Sequence, residues 1–285
     1  MSGVAVIVEY GFREAVRRKV FAVVVLLTAI FLVLFWLANH FVFGQLSNIT
    51  PPRDVNVDTR TFAGAFLTGL AMFATLFLGV VLAVFLTLGV VSGDAERGLL
   101  QPLVVRPIGR STLLLSRFLG AAGVCVAYVL AVYFSAMVIT GLTGHWWPAR
   151  IAWPGLELAG GVTIVIALSL LGSIVLSSTA NGIAVFMLFG GGLVAGLLAS
   201  IGHALNSHAI THASTIAAWA LPFEALYQDA LRMITENTSG LTSFLLQLGP
   251  FGGAYVHGWT IRVWAVGYLV AVGAVALAAF SRKNL

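Results

Sequence analysis

The residues able to do chemistry are few and are not gathered in one place. Three histidines, His203, His208 and His212, lie within ten positions. On a helix His208 and His212, four apart, would share one face, a spacing that can chelate a divalent metal. Neutral imidazoles titrating near pH ~6.5 could instead sense acidity, and histidine also suits a membrane interface. No cysteine or carboxylate stands between Gly202 and Ala218 to complete a ligand set, so the three stand as candidates and no metal site is assigned. The single cysteine, Cys125, rules out an intrachain disulfide or a CxxC site and reads as a small buried hydrophobe. The ten carboxylates are scattered over polar connections, so no nucleophile with an acid and base beside it is evident. One dense polar stretch remains, SGDAERGLLQPLVVRPIGRSTLLLSRF, from Ser92 to Phe118.

The elements that must position these residues follow from composition. Apolar residues make up 60% of the 285 and charged residues 9%, against ~45–50% and ~25% in ordinary globular proteins. Too little polar surface exists to cover a water-facing core, and the chain reads as an all-α, multi-pass membrane protein. A helix needs ~20 apolar residues to cross ~30 Å of hydrocarbon. Six runs free of charge and histidine meet that length: Val20 to Asn39, Phe62 to Ser92, Phe118 to Thr143, Leu158 to Ser178, Gly182 to Gly202, and Val263 to Phe280. The first run is too long for a cleavable signal core and ends without a small-residue cleavage site, so it is expected to stay as an anchor. The net charge of +5 and pI of 9.8 do not indicate nucleic acid, because the basic residues lie at the ends of the spans.

Orientation follows from arginine and lysine. With a cytoplasmic N-terminus, the inner side holds Arg13, Arg17, Arg18, Lys19, Arg97, Arg106, Arg110, Arg117, Arg282 and Lys283. The outer side holds Arg53, Arg60, Arg150, Arg232 and Arg262. Ten against five puts both termini inside. Residues 1–19 have an apolar side (Val6, Ile7, Phe12, Ala15, Val16) and a charged stripe (Glu9, Arg13, Arg17), as an interfacial helix would. Residues 40 to 61 and 144 to 156 read as external loops, the second carrying Trp146, Trp147 and Trp153 for the headgroup belt. Ser178 to Asn181 form a tight inner turn. Residues 203–261 are the largest external element. Within it, Pro222 opens a surface helix with Phe223, Leu226, Tyr227, Ala230, Leu231 and Ile234 on one side and Glu224, Asp229, Arg232 and Glu236 on the other. Leu241 to Tyr255, interrupted by glycine and proline, is expected to form a re-entrant or interfacial hairpin. Gly192 and Gly196 make a GxxxG, a spacing that lets helix backbones approach closely, although thirty-one glycines produce such matches by chance too.

Pro102 and Pro107 break the polar stretch into a short amphipathic helix near Asp94 to Gln101, a bend, and a restart of helix after Arg110. A short helix displayed below the membrane is something a second protein could grip. The stretch resembles the inner-loop signature of ABC transporter permeases of the export type often called type two, including the permease associated with nitrous oxide reductase maturation. Glu96, Gly98, Leu100, Leu103, Pro107, Arg110 and Arg117 take the signature's places. Leu99, where threonine is common, and Pro102, within the leucine turn, depart from it. The resemblance implies a single permease domain over 1–285, with 93–117 as cytoplasmic coupling loop and Glu96, Arg97, Gly98, Arg106, Pro107 and Arg110 contacting the ATPase. It further implies a cytoplasmic ABC ATPase dimer and a second permease copy or a related permease as partners, in the lipid of a prokaryotic inner membrane.

No cofactor is expected on this chain. A Walker A loop needs GxxxxGK[ST], and neither Lys19 nor Lys283 follows a glycine, so ATP must be hydrolysed by the partner and the chain is not itself an enzyme. Two other classes compete. An ion-coupled carrier would need buried ionisable groups, which the six runs lack. A permease that transmits force to an external partner without moving a substrate stays open. Phenylalanine-rich spans fit a hydrophobic or amphipathic cargo, but lipid-facing positions need the same residues.

Overall fold

A computed structural model describes residues 19–46, 58–88, 110–235 and 258–282, the side chains of residues 19, 110, 203, 204 and 235 excepted. Eight α-helices and no strands occur among the described residues: α1 Lys19–Leu46, α2 Thr59–Thr87, α3 Arg110–Gly144, α4 Ala152–Val175, α5 Ser178–Ala204, α6 His208–Ala220, α7 Pro222–Thr235 and α8 Gly258–Arg282. Six of them, α1 to α5 and α8, are long and apolar enough to cross a membrane. The all-α membrane fold and the six spans are therefore as read from the sequence. Several helices outrun the charge-free cores. α1 continues past His40, which stacks on Trp36, and α3 starts at Arg110 and runs for 35 residues, about 53 Å at ~1.5 Å per residue.

Local chemistry sets the ends. Asp58 caps α2, its Oδ1 accepting from the Arg60 and Thr61 backbone amides and its Oδ2 from the Thr61 hydroxyl at 2.6 Å. That hydroxyl, chiefly, holds the Asp58 carboxyl below its ordinary range. Between α4 and α5 only Leu176 and Ser177 intervene, so the turn is tight but lies before the expected Ser178 to Asn181, which form the first turn of α5.

The long helices run up and down. One end, here the basal end, gathers Leu114, Ile174, Ala276 and Phe280. At the opposite, apical end Phe43 lies against Gly144 and Trp146 against Gly64. α2 and α4 form the centre of the bundle and are mostly buried, whereas α1, α5 and α8 leave apolar faces outward, as helices in contact with lipid or another membrane chain must. Residues 1–18, 47–57, 89–109, 236–257 and 283–285 lie outside the described residues, and with them the expected interfacial helix, most of the expected coupling loop and the expected Leu241 to Tyr255 hairpin.

Candidate functional site

The helix predicted from Pro222 is present as α7, but it is not a surface helix. Glu224 is 3% exposed and Asp229 0%, alongside buried Phe223, Leu226, Tyr227, Ala230, Leu231 and Ile234. Both of its faces are covered: the apolar one packs on α4, and the acidic one meets α5 and α8. Amphipathic periodicity records that a helix has a polar face. It does not say whether that face meets water or a buried partner.

The corner between α6 and α7 reaches into the bundle. Phe223, the second residue of α7, lies against Gly192 and stacks on Phe189, both on α5, and its backbone abuts Gly161 of α4. Near the end of α6, the Trp219 carbonyl accepts a 2.8 Å hydrogen bond from Trp264 Nε1, six residues into α8. The pair α6–α7 is thus a re-entrant hairpin that descends beside α5 and returns beside α4. The GxxxG of α5 receives it within the same chain. A β-carbon at Gly192 would sit 2.7 Å from the Phe223 ring, and one at Gly196 would overlap the Glu224 carboxylate.

α7 is fastened by charge. Arg262 of α8 donates through Nε to Glu157 Oε1 of α4 at 2.7 Å and through Nη2 to Asp229 Oδ2 of α7 at 2.9 Å. Its guanidinium lies over the Trp153 ring, 5.4 Å from the centroid. Arg232 Nε approaches Asp229 Oδ1 at 3.8 Å, so two carboxylates are matched by two guanidinium groups. Both arginines keep partial exposure while both acids are buried, the arrangement expected when long cations reach from an apolar wall towards the polar rim. A third acid lies deeper. Glu224 Oε1 accepts from Gln228 Nε2 at 2.8 Å, while Glu224 Oε2 and Gln228 Oε1 have no hydrogen-bond partner among the described residues. Burial pushes the Glu224 carboxyl up to about 8, against the opposing pull of the Gln228 hydrogen bond.

These ionisable groups were hidden from the search for charge-free runs. The fourth and sixth runs start at Leu158 and Val263, each one residue after a member of the cluster, and the helices themselves begin at Ala152 and Gly258. Contrary to the expectation from the sequence, the spanning helices do carry ionisable groups within the bundle: Glu157, buried, and Arg262, half-buried. The useful signal was a carboxylate and an arginine each abutting the polar start of an apolar run.

At the basal end the bundle is joined by neutral groups. Thr87 of α2 and Ser169 of α4 share a 2.6 Å hydroxyl hydrogen bond, and Asn181 Nδ2 of α5 donates to the Ser169 carbonyl at 2.9 Å. Thr87 is the last residue of α2, so this node lies where the chain leaves for the polar stretch between α2 and α3. That stretch connects α2 to the first residue of α3, Arg110. Of the proposed ATPase contacts, Arg110 opens α3, its side chain not described, and Glu96, Arg97, Gly98, Arg106 and Pro107 lie outside the described residues.

The histidines divide between helices. His203 belongs to α5, and a turn at Leu205 and Asn206 separates it from His208 and His212, both exposed on α6. Among the described residues no group of three or more histidine, cysteine, aspartate or glutamate side chains is placed to hold a metal ion.

No curated protein matches the chain. A family model described as ABC-2 family transporter protein matches residues 5–285. Since that match takes in all six spans, the hairpin and the coupling stretch, the chain belongs to the ABC-2 transporter family.

Proposed function

We propose that the chain is the pathway-forming permease subunit of an ATP-driven ABC exporter in a prokaryotic inner membrane, with both termini cytoplasmic. In this reading a cytoplasmic ATPase dimer hydrolyses ATP, and a second copy or a related permease completes the pathway. The whole chain acts as one permease domain, with 1–19 on the membrane surface, 93–117 as coupling loop and 203–261 entering from the external side, its α6–α7 hairpin reaching into the bundle. The type resembles the permease associated with nitrous oxide reductase maturation, and its cargo is hydrophobic or amphipathic. The observation that carries the proposal is the family match over residues 5–285. The polar stretch between α2 and α3 supports it, because charges at its surface can orient a partner and glycine permits close approach of the Gly98 backbone. Force delivered there would reach α4 and α5 through Thr87, Ser169 and Asn181.

The test is coupling. Replacing Glu96 or Arg110 with alanine should uncouple ATP hydrolysis by the co-expressed ATPase from function, with membrane insertion unchanged. Full coupling in both variants rejects the assignment. The buried acids Glu157, Asp229 and Glu224 favour a second reading, an ion-coupled carrier. Cargo movement into sealed vesicles separates the two: dependence on ATP with ion gradients collapsed supports the exporter, and dependence on a gradient without ATP supports the carrier. No movement under either condition would leave the force-transmitting permease.

A further inference from the structure

A cleft opens sideways from the bundle between α3 and α8, with α4 as its floor. Its volume is about 400 Å³, within the ~300–1,000 Å³ range of small-molecule sites. Leu115 and Phe118 form one wall, Leu269 and Leu277 the other, and Ala167 and Leu170 the base. Its space comes from small residues on α8. A β-carbon built on Gly273 meets no atom within 4 Å. The lining holds no charged side chain.

Its extent and its mouth identify the occupant. From Leu269 to Leu277 the rise along α8 is about 12 Å at ~1.5 Å per residue, comparable to one leaflet, which is half of the ~30 Å hydrocarbon core. The outward face of α8 is apolar through both leaflets, but the cleft itself is one leaflet long, the reach of an acyl chain and not of a membrane-crossing helix. The cleft ends at the basal end beside Leu114 and Ala276. Exposed Arg282 follows Leu277 by five residues on α8, beyond the basal end of the cleft. All four carboxylates among the described residues, Asp58, Glu157, Glu224 and Asp229, belong to the apical half or its hairpin. The basal mouth therefore pairs a chain-length apolar cleft with a cation, and such a charge near a membrane surface favours an anionic lipid by roughly fivefold.

We infer that this cleft is a binding site for one acyl chain of an anionic phospholipid from the basal leaflet, the headgroup lying by Arg282. The site is independent of the export reading.

The purified full-length permease, stripped of loosely held lipid, would be titrated with phosphatidylglycerol and with phosphatidylcholine of the same acyl chains. Retained lipid is read by native mass spectrometry. The parent should retain phosphatidylglycerol several-fold better. Gly273→Leu, which fills the cleft without a clash, should cut retention of both lipids by about tenfold or more, as expected when several methylenes lose their burial. Leu115→Trp closes the cleft from the opposite wall and serves if the first variant folds poorly. Arg282→Gln should narrow the preference between the two lipids while leaving the cleft able to hold a chain. Equal retention of both lipids by the parent, or unchanged retention in both cleft-filling variants, overturns the inference. So does efficient disulfide cross-linking between copies carrying Leu277→Cys, because a second permease copy would then occupy this face.

Discussion

The two ends of the bundle are held together by different chemistry. At the apical end, Arg262 ties α4 to α7 through two buried carboxylates, while at the basal end hydroxyl and amide groups of Thr87, Ser169 and Asn181 join α2, α4 and α5. A buried ion pair compensates a large desolvation cost and is unforgiving of a missing partner. A hydrogen bond between neutral groups in a membrane contributes about 0.6 kcal/mol on average and is readily exchanged. The apical end is therefore built to keep one arrangement, with the hairpin α6–α7 clasped to α4 and α8. The basal end, where the polar stretch between α2 and α3 departs and returns, is joined by bonds that cost little to exchange.

The largest expected effect breaks the clasp. Arg262→Met leaves Glu157 and Asp229 facing each other without Arg262's guanidinium, and should destabilise the protein by about 3–5 kcal/mol, read as a lowered Tm in detergent. Substituting Glu157→Gln and Asp229→Asn in the same chain should recover much of that loss, since the uncompensated charges are then gone. Without any recovery, the clasp could not be electrostatic.

Next is the seat of the hairpin. Gly196→Val places carbon atoms where the Glu224 carboxylate and Gln228 amide lie, and should cost about 1–3 kcal/mol through overpacking. Gly190, where an added β-carbon meets nothing within 4 Å, provides the control on the same helix. Hydrogen exchange should speed up over α6 and α7 in the Gly196 variant alone.

A smaller, pH-dependent effect belongs to Glu224. Its carboxyl titrates at about 8 in the folded chain against an ordinary value of 4.5, so between those pH values the folded state binds more protons than the unfolded one. Stability must then fall as pH rises from about 4.5 to 8. Glu224→Gln should flatten this slope, with little change in Tm at the acid end and a gain at the alkaline end. The opposite slope would exclude a neutral Glu224. Smallest of all, Thr87→Val should cost about 0.6 kcal/mol, and a loss as large as that of Arg262→Met would erase the contrast between the two ends.

Hydropathy located six spans and missed the clasp for one physical reason. A span is recognised by the charges it excludes, so a search for charge-free runs stops one residue short of Glu157 and Arg262. The same blindness applies to α7, whose alternation of apolar and acidic residues predicts the helix correctly and its surroundings wrongly. Gly192 and Gly196 announce close backbone approach without saying which backbone approaches, and the partner is α7 of the same chain. The histidines show the converse: His208 and His212 do keep helical spacing on α6, but the turn after Ala204 puts His203 on a different helix.

What the sequence by itself determined is whatever depends on local composition and order. The scarcity of charge requires a membrane, apolar runs of sufficient length require six crossing helices, Pro222 starts a helix where it stands, and the polar stretch from Ser92 to Phe118 cannot be a span. Only the tertiary structure decided which distant residues meet. Glu157, Asp229 and Arg262 are separated by up to 105 positions and come together because α7 turns inward, filling the space left by the glycines of α4 and α5. Burial is a property of neighbours, and the neighbours of a folded membrane helix are chosen by packing across the whole bundle rather than by the residues beside it in the chain.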